Sequence, residues 1–424
     1  METVRIYRLT GLRPRYRARL RAAQMEAAQV WTLCRDLHLS ARQNRTPWPT
    51  QDDFQHATKG RFALHSQTMQ MIFRTFLGNI ETTRELRKTN PEIRYPYKDK
   101  RYYPLLWPAQ AVSVERGRIV LPMGRGRQSL VFHVSLPEQI GACKLVWNDG
   151  YELHVSVPAS RLSERPHTAQ ATGDLGEIHQ VAVTTNTGAA LVVCGRGIRS
   201  LKRRHNMALG SLSKKRKRCQ KGSRRYRKLQ AARRKVSARK RRQIRDLRHK
   251  GTRQVVAFCQ QHGVGTLFIG NPDGVRGKAN GRHHNQRMAQ WEYGQDIAYL
   301  SYKSKLARIE SFTSPERGTS SRCPACGWKQ KVRGRNWRCR NPHCSFMGHR
   351  DVVGSVNMHP LAFGTTIDFP AHVTYQRPGP VRASCRNEQP TGVNKNRNVV
   401  VARTRATSSG WRCLGESDPQ PPLR

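Results

Sequence analysis

The sequence predicts a multidomain α+β protein: an N-terminal β module with a helical insertion, a mixed α/β body, a small cysteine ribbon set into that body, and a basic tail. Three observations predict it. The hydrophobic period over residues 1–158 runs strand-like, then helical, then strand-like again. From 171 to 358 short apolar strands alternate with helical stretches. Four of the eleven cysteines fall within Cys323–Cys344. For 424 residues, a prior of roughly 150 residues per domain gives two or three domains.

Residues 2–9 alternate like a strand with one buried face. Residues 17–42 then place Leu20, Ala23, Ala27, Val30 or Trp31, Cys34 and Leu37 at helical spacing. Residues 60–88 repeat that spacing with Phe62, Met69, Ile72, Phe73, Phe76 and Ile80, before Pro91, Pro96 and Pro104 break it. Ile119–Leu121 and Leu130–Leu136 are strand-like. Lys144–Trp147 and Tyr151–Val157 flank Asn148-Asp149-Gly150, a hairpin signal because Asp and Gly tolerate positive φ. The segment 1–158 is therefore expected to be a β-barrel-like module with inserted helices. Residues 171–195 hold two short apolar strands around a turn at Gly176, Thr266–Ile269 is a buried strand, and 290–307 is a helix with Trp291, Ile297, Leu300 and Leu306 on one face. Residues 365–424 are rich in Arg, Asn, Pro and Ser and poor in apolar anchors, and are expected to form a mobile tail.

Charge narrows the function. The chain carries 78 Lys and Arg against 27 Asp and Glu, a formal charge of +51. That much like charge needs a polyanion, which disfavours a small-molecule enzyme and makes nucleic acid the leading partner. A polybasic membrane-surface protein is the distant second. No apolar run of about 18 residues exists, so no spanning helix is indicated, and Met1–Arg13 lacks the apolar centre of a signal peptide. Residues 201–250 contain 23 Lys or Arg and a single acid, Asp246. A stripe of Tyr226, Leu229, Val236, Ile244 and Leu247 marks this segment as a folded basic helix and not a solvated run. Lys214, Lys215, Arg224, Arg225, Arg233 and Arg234 are its candidate phosphate contacts.

Cys323-Pro-Ala-Cys326 and Cys339-Arg-Asn-Pro-His-Cys344 pair their cysteines on two short turns. A zinc ion takes four such soft ligands in a tetrahedron, which leaves no position for a substrate, so one structural Zn2+ is expected. His343 is the alternative fourth ligand. Clustered cysteines of this kind point to a metal site in a reducing compartment, not to disulfides. Arg333, Arg335 and Trp337 between the pairs suit phosphate contact and base stacking. Packing on the knuckle is the other reading of Trp337.

Two acids stand on apolar elements. Asp174 ends a strand before Gly176, and Asp351 follows directly after the cysteine cluster. An acid so placed is costly unless it meets a cation. Arginine, in a structural ion pair, and magnesium, held by carboxylates beside phosphate oxygens, are both open.

The order of these features resembles a known family. A strand with Asp174-x-Gly176 is followed by a basic helical region with Lys221-Gly222-Ser223 and His249-Lys250. Then come an apolar strand, a helix opening at Trp291 and ending in Tyr302-Lys303, Thr313-Ser314, the four-cysteine ribbon, and Asp351 six residues before Asn357. This is similar to TnpB, the RNA-guided nuclease of insertion sequences and a relative of type V CRISPR effectors. The resemblance is strong over 171–358 and architectural over 1–158. It implies a wedge β-barrel (1–15 and 100–160), an inserted helical recognition lobe (16–99), and a RuvC-like nuclease of the RNase H fold (170–312 and 348–364). It further implies a zinc-ribbon nucleic-acid-binding insert (313–347). The partners implied are a guide RNA and a target DNA paired to it, with no membrane. Two Mg2+ ions would be held by three acids at the catalytic site. A cytoplasmic prokaryotic setting, nucleoid-associated when bound to DNA, goes with it, and a monomer is the expected state.

One family feature is missing. The middle acid is usually a Glu directly after the strand that Thr266–Ile269 matches, and here that position is Gly270. Seven acids lie between Asp174 and Asp351: Glu177, Asp246, Asp273, Glu292, Asp296, Glu310 and Glu316. Glu292, next to Trp291, is the leading replacement, giving Asp174, Glu292 and Asp351 as the expected magnesium ligands. Asp273 and Glu177 are weaker candidates, and a site with no effective third ligand stays open. Three functions follow: an active RNA-guided endonuclease, a nuclease-inactive RNA-guided DNA-binding protein acting like a repressor, and a strand-joining transposase. The last is weakest, because no His-x-His with a nucleophilic Tyr is evident.

Overall fold

A computed structural model describes residues 2–379 except 116, 134, 135, 138, 160–167, 276–280 and 333. Arg333, Cys385, Cys413 and the tail from 380 onward lie outside the described residues. The chain divides into two units at Ala159/Ser160.

In the first unit β1 (Glu2–Leu9) leads into three helices: α1 (Pro14–Asn44), α2 (Gln51–Thr58) and α3 (Ser66–Thr89). Six strands follow: β2 (Leu105–Trp107), β3 (Ser113–Glu115), β4 (Arg118–Leu121), β5 (Leu130–His133), β6 (Cys143–Trp147) and β7 (Tyr151–Pro158). They form one sheet in the order β1-β7-β6-β2 and a second in the order β3-β4-β5. The β6–β7 hairpin turns where expected, with Asp149 and Gly150 both at positive φ. Both sheets and the α1 stripe Leu20, Ala23, Ala27, Val30, Trp31 and Cys34 share one apolar core. Trp31 lies at its centre, edge-on to Phe76 at 5.1 Å and stacked on Tyr103 at 4.9 Å. The expected helix at 60–88 begins only at Ser66. The separate α2 before it has a capping box in which Thr50 and Asp53 bond each other's backbone amides, a device that satisfies orphan N–H groups.

The second unit is built on a six-stranded sheet, order β12-β11-β8-β9-β10-β15. Its first three strands, β8 (Ala169–Leu175), β9 (His179–Thr185) and β10 (Ala190–Cys194), form an antiparallel meander, one strand more than the sequence pattern indicated. The basic segment follows as two helices, α4 (Arg196–Lys217) and α5 (Arg224–Gln261). They break at 218–223, where the Ser223 hydroxyl accepts from the Tyr226 amide and starts the second helix. Next come β11 (Val264–Asn271), α6 (Arg282–Gln290), α7 (Tyr293–Leu306) and β12 (Glu310–Pro315). β11 runs parallel to β8 on one side and to β12 on the other. A meander flanked by two parallel strands is the mixed order of an RNase H-like sheet. All seven residues of β9 are buried, because helices cover both faces there. On one face Val181, Val183, Leu267 and Ile269 meet Val255, Cys259 and Leu300; on the other, Ala182 and Val192 meet Val352 and Val356.

The ribbon contributes β13 (Asn336–Arg338) and β14 (Met347–His349), an antiparallel pair. β14 passes directly into α8 (Arg350–Val356), followed by α9 (His359–Phe363) and β15 (Val373–Gln376). β15 pairs in parallel with β10, so the start of the tail expected at 365 is corrected: residues 373–376 form the edge strand of the sheet. No helix among the described residues is long and apolar enough to cross a membrane.

Candidate active site and metal centre

The sheet sets out the acids. Gly173 stands in register with Ile269, and Gly270 with Ser314, so β8, β11 and β12 end side by side at their carboxyl edges. Asp174 sits at the end of β8, and Glu316 follows β12 directly. Between them is Gly270. A Cβ placed on Gly270 would stand 2.0 Å from Glu316 Oε2, so the Glu316 carboxylate occupies the space that a side chain at 270 would take.

α8 closes the other side. A Cβ on Gly354 would stand 2.2 Å from Asp174 Oδ2, so the Asp174 carboxylate rests against the helix backbone. Asp351 lies one turn earlier on the same helix. The helix is fixed to the sheet by a buried hydroxyl cluster: the Ser355 hydroxyl donates to the Thr172 carbonyl at 2.9 Å and lies 2.9 Å from Thr184 Oγ1. Net contributions of about 1 kcal/mol per bond are typical.

The electrostatics separate the acids. Asp174 is densely surrounded yet keeps part of its surface open, and has no ion-pair partner among the described residues. Burial pushes its carboxyl well above the usual range, and the negative charges of Glu316 and Asp351 push it further, against Arg350 and Arg335. Burial also raises Glu316, to about 7, and Glu316 Oε2 is buried without a hydrogen-bond partner among the described residues. Asp351 goes the other way. Burial alone would raise it, but the 2.8 Å hydrogen bond from His179 Nδ1 and the charges of Arg335 and His349 hold it below the ordinary value. Arg335 Nη1 reaches both Asp351 oxygens, at 2.5 and 2.7 Å. The ion-pair reading is thus realised at Asp351 and not at Asp174.

Oxygen-only donors without a cation suit Mg2+. Among the described residues, Asp174 and Glu316 Oε2 are free of an ion pair, and Asp351 would have to share its oxygens with Arg335.

The other candidate acids lie elsewhere. Glu292, the leading candidate for the third ligand, is half exposed and pairs with Lys202 at 3.3 Å and Arg248 at 3.2 Å. It is bound into the buried Arg248–Asp296–Gln180 group, and its carboxylate is committed to cations already present. Glu177 faces Arg199 at 3.4 Å and Arg287 at 4.0 Å, and Asp273 stands in an exposed turn after β11. Asn357 donates to the carbonyls of Thr319 and Arg322, tying the end of α8 to the base of the ribbon.

The four cysteines converge, with Sγ atoms all within 4.8 Å of one another. Cys323–Cys344 measures 3.9 Å and Cys326–Cys339 measures 3.6 Å. Sulfurs about 2.3 Å from one ion define tetrahedral edges of about 3.8 Å, so the set fits zinc. A backbone hydrogen bond from Trp328 lowers the Cys326 thiol to about 7, which favours the ligating thiolate. His343 stays outside the cluster, its amide bonded to Asn341 Oδ1.

Among the proposed nucleic-acid contacts, Lys214, Lys215, Arg224, Arg225 and Arg234 are exposed at the α4–α5 bend and along α5, and Arg233 is half-buried. Trp337 is corrected: it is 1% exposed, donates its indole N–H to the Ser320 carbonyl, and packs on Phe346, so no base can stack on it. Arg335 is turned inward to Asp351.

Two residues were not singled out by the sequence: Glu316 and His179. The signal for Glu316 was the one that marked Asp174, an acid at the carboxyl end of a strand. It was obscured because Glu310–Pro315 has little apolar character.

Comparison with known proteins fits this arrangement. Residues 152–276 match the family described as Probable transposase (OrfB_IS605), and residues 293–358 match the Cas12f1-like TNB domain. A TnpB-like protein of Methanocaldococcus jannaschii is 30% identical over 163 residues, 37% of this chain and 56% of that protein. The match thus spans little more than half of the relative's length. A solved Cas12f1 complex with sgRNA and target DNA aligns with a TM-score of 0.57 at 13% identity, covering 80% of this chain and 81% of that one. The mini-RNA-guided endonuclease Cas_phi3 aligns at 0.49 and 11% identity, covering 87% and 94%. The sequence likeness thus lies in 152–276 and 293–358, and the likeness to Cas12f1 is one of fold over most of the chain. Over these segments the chain is similar to TnpB-type proteins.

Proposed function

We propose that this chain is an RNA-guided DNA endonuclease. It binds a structured guide RNA encoded beside its own gene, recognises a short motif adjacent to the target, and cuts DNA paired to the guide. The observation that carries the reading is Asp174: a carboxylate with no ion-pair partner among the described residues, set at the carboxyl end of β8 against the helix that bears Asp351. The Cas12f1 of similar fold was solved with sgRNA and target DNA, which supports the choice of partners. Base pairing would read the sequence, while the exposed cations of α4 and α5 would hold the backbone.

Asp174 and Asp351 would hold divalent magnesium. Such ions supply the positive charge that activates water and stabilises the leaving oxygen of a phosphodiester. His179 fixes the orientation of Asp351 by its Nδ1 bond, and Gly354 gives Asp174 the room to face the site. The cysteine set would hold one zinc ion and keep the ribbon folded.

A second reading, RNA-guided binding without cutting, is favoured by one observation: Arg335 engages both oxygens of Asp351. The experiment is direct. The protein is co-purified with its flanking RNA and given magnesium and a plasmid library with a guide-matched target beside a randomised motif. Cutting of a motif-defined subset, abolished in Asp174→Asn, is the expected result. Stable target binding with no cutting of any member would establish the second reading.

A further inference from the structure

We infer that Glu316 is a divalent-metal ligand, supplying from β12 the carboxylate that β11 lacks at Gly270. The inference rests on the nuclease reading for its consequence, but its evidence is geometric. Gly270 leaves a gap at the end of the central parallel strand, between the ends of β8 and β12. The Glu316 side chain fills that gap, so close that a Cβ on Gly270 would overlap Oε2 at 2.0 Å. The sulfur and terminal methyl of Met358 form another wall, 3.0 and 2.8 Å from the same point. The carboxylate is therefore placed on the Asp174 side of the sheet by the register Gly270–Ser314 and not by a flexible reach.

The second observation is what the carboxylate lacks. Its Oε2 is buried and unpartnered among the described residues, although cations are abundant in this chain. An unpaired acid oxygen in such a place costs stability unless a ligand completes it. Asp174, likewise without an ion-pair partner among the described residues, feels the Glu316 charge. Two neighbouring carboxylates, neither in an ion pair among the described residues, are suited to a shared divalent cation. By contrast Glu292 is already neutralised by Lys202 and Arg248.

The test uses the full-length protein and Mn2+ as the probe, with binding followed by electron paramagnetic resonance and unfolding followed in chelator and in Mn2+. Glu316→Gln should weaken Mn2+ binding by about tenfold or more, as should Asp174→Asn. The exposed Glu310→Gln, at the opposite end of β12, should bind as the parent does. In chelator Glu316→Gln should unfold at a higher temperature than the parent, because a buried uncompensated charge is gone, while the rise on adding Mn2+ shrinks. Gly270→Glu with Glu316→Ala returns the carboxylate to β11 and should recover Mn2+ binding that Glu316→Ala alone loses. Unchanged Mn2+ binding in Glu316→Gln, or loss in Glu292→Gln instead, overturns the inference. The nuclease reading is judged separately. If the parent cuts no target while Glu316→Gln loses Mn2+, the ligand stands and the nuclease falls. If both cut equally and bind Mn2+ equally, the reverse holds.

Discussion

Gly354 leaves no room for a side chain where α8 meets Asp174. A glycine inside a helix ordinarily costs about 1 kcal/mol relative to alanine, so Gly354→Ala on its own terms should stabilise α8. Its Cβ, however, would fall 2.2 Å from Asp174 Oδ2 and drive that carboxylate away from the site. The variant should therefore keep or slightly raise its unfolding temperature while target cutting drops by about 100-fold, the typical effect of a 1 Å displacement of a reacting group. Thermal unfolding and single-turnover cutting of a matched plasmid measure the two together. Such a residue cannot be read from the sequence, where a glycine in Val353-Gly354-Ser355 shows only that bulk is absent. Asp174 and Asp351 were legible because acids on apolar elements are conspicuous. Glu316 was not, since it comes beside Asp174 only when β12 is laid beside β11, and that pairing joins residues some forty apart in the chain. Glu292 misled for the opposite reason: its sequence neighbourhood was right, but Lys202 and Arg248, which claim it, come from α4 and α5.

At the scale of elements the ribbon and α8 are one mechanical unit. β14 runs into α8 at His349–Arg350, the Arg350 amide donates to the Arg335 carbonyl at 2.8 Å, and Asn357 returns from the far end of α8 to Thr319 and Arg322. The four-cysteine ribbon thus holds both the helix that bears Asp351 and the arginine that covers it. Cys326→Ser should lose the bound zinc, counted by atomic absorption, and expose 318–347 to limited proteolysis. It should also lower target cutting, while far-UV circular dichroism, dominated by α1, α3 and α5, stays near that of the parent. Full cutting by the zinc-free variant would detach the ribbon from the site. The ribbon was legible because ligand spacing is local. The helices α1 and α5 were legible because their apolar stripes are long. The missed elements are those whose partners lie far along the chain: β15, a polar Val-Thr-Tyr-Gln edge strand paired with β10, and the third strand of the meander.

For the whole molecule the controlling quantity is charge. A formal +51 cannot be paired internally when only 27 acids exist, and some of those are already spent on buried contacts such as Arg248–Asp296. The surplus is concentrated on α4 and α5. A 38-residue α5 is about 57 Å long at 1.5 Å per residue, enough to follow roughly two turns of a nucleic-acid duplex. Its second half turns an apolar stripe to the sheet, with Val255, Val256, Phe258 and Cys259 buried, while the bend at Lys214, Lys215, Arg224 and Arg225 stays exposed. If that bend grips the RNA scaffold through phosphates, each lysine or arginine releases about 0.7 to 0.9 of a counterion on binding. Replacing those four residues with glutamine should then flatten the plot of log affinity for the flanking RNA against log salt by about 3 units. It should do so without lowering the unfolding temperature, since none of the four side chains is buried. Fluorescence anisotropy across a salt series measures the slope. A slope unchanged by the four substitutions would place the RNA on another face and leave the bend as an ordinary solvated helix end.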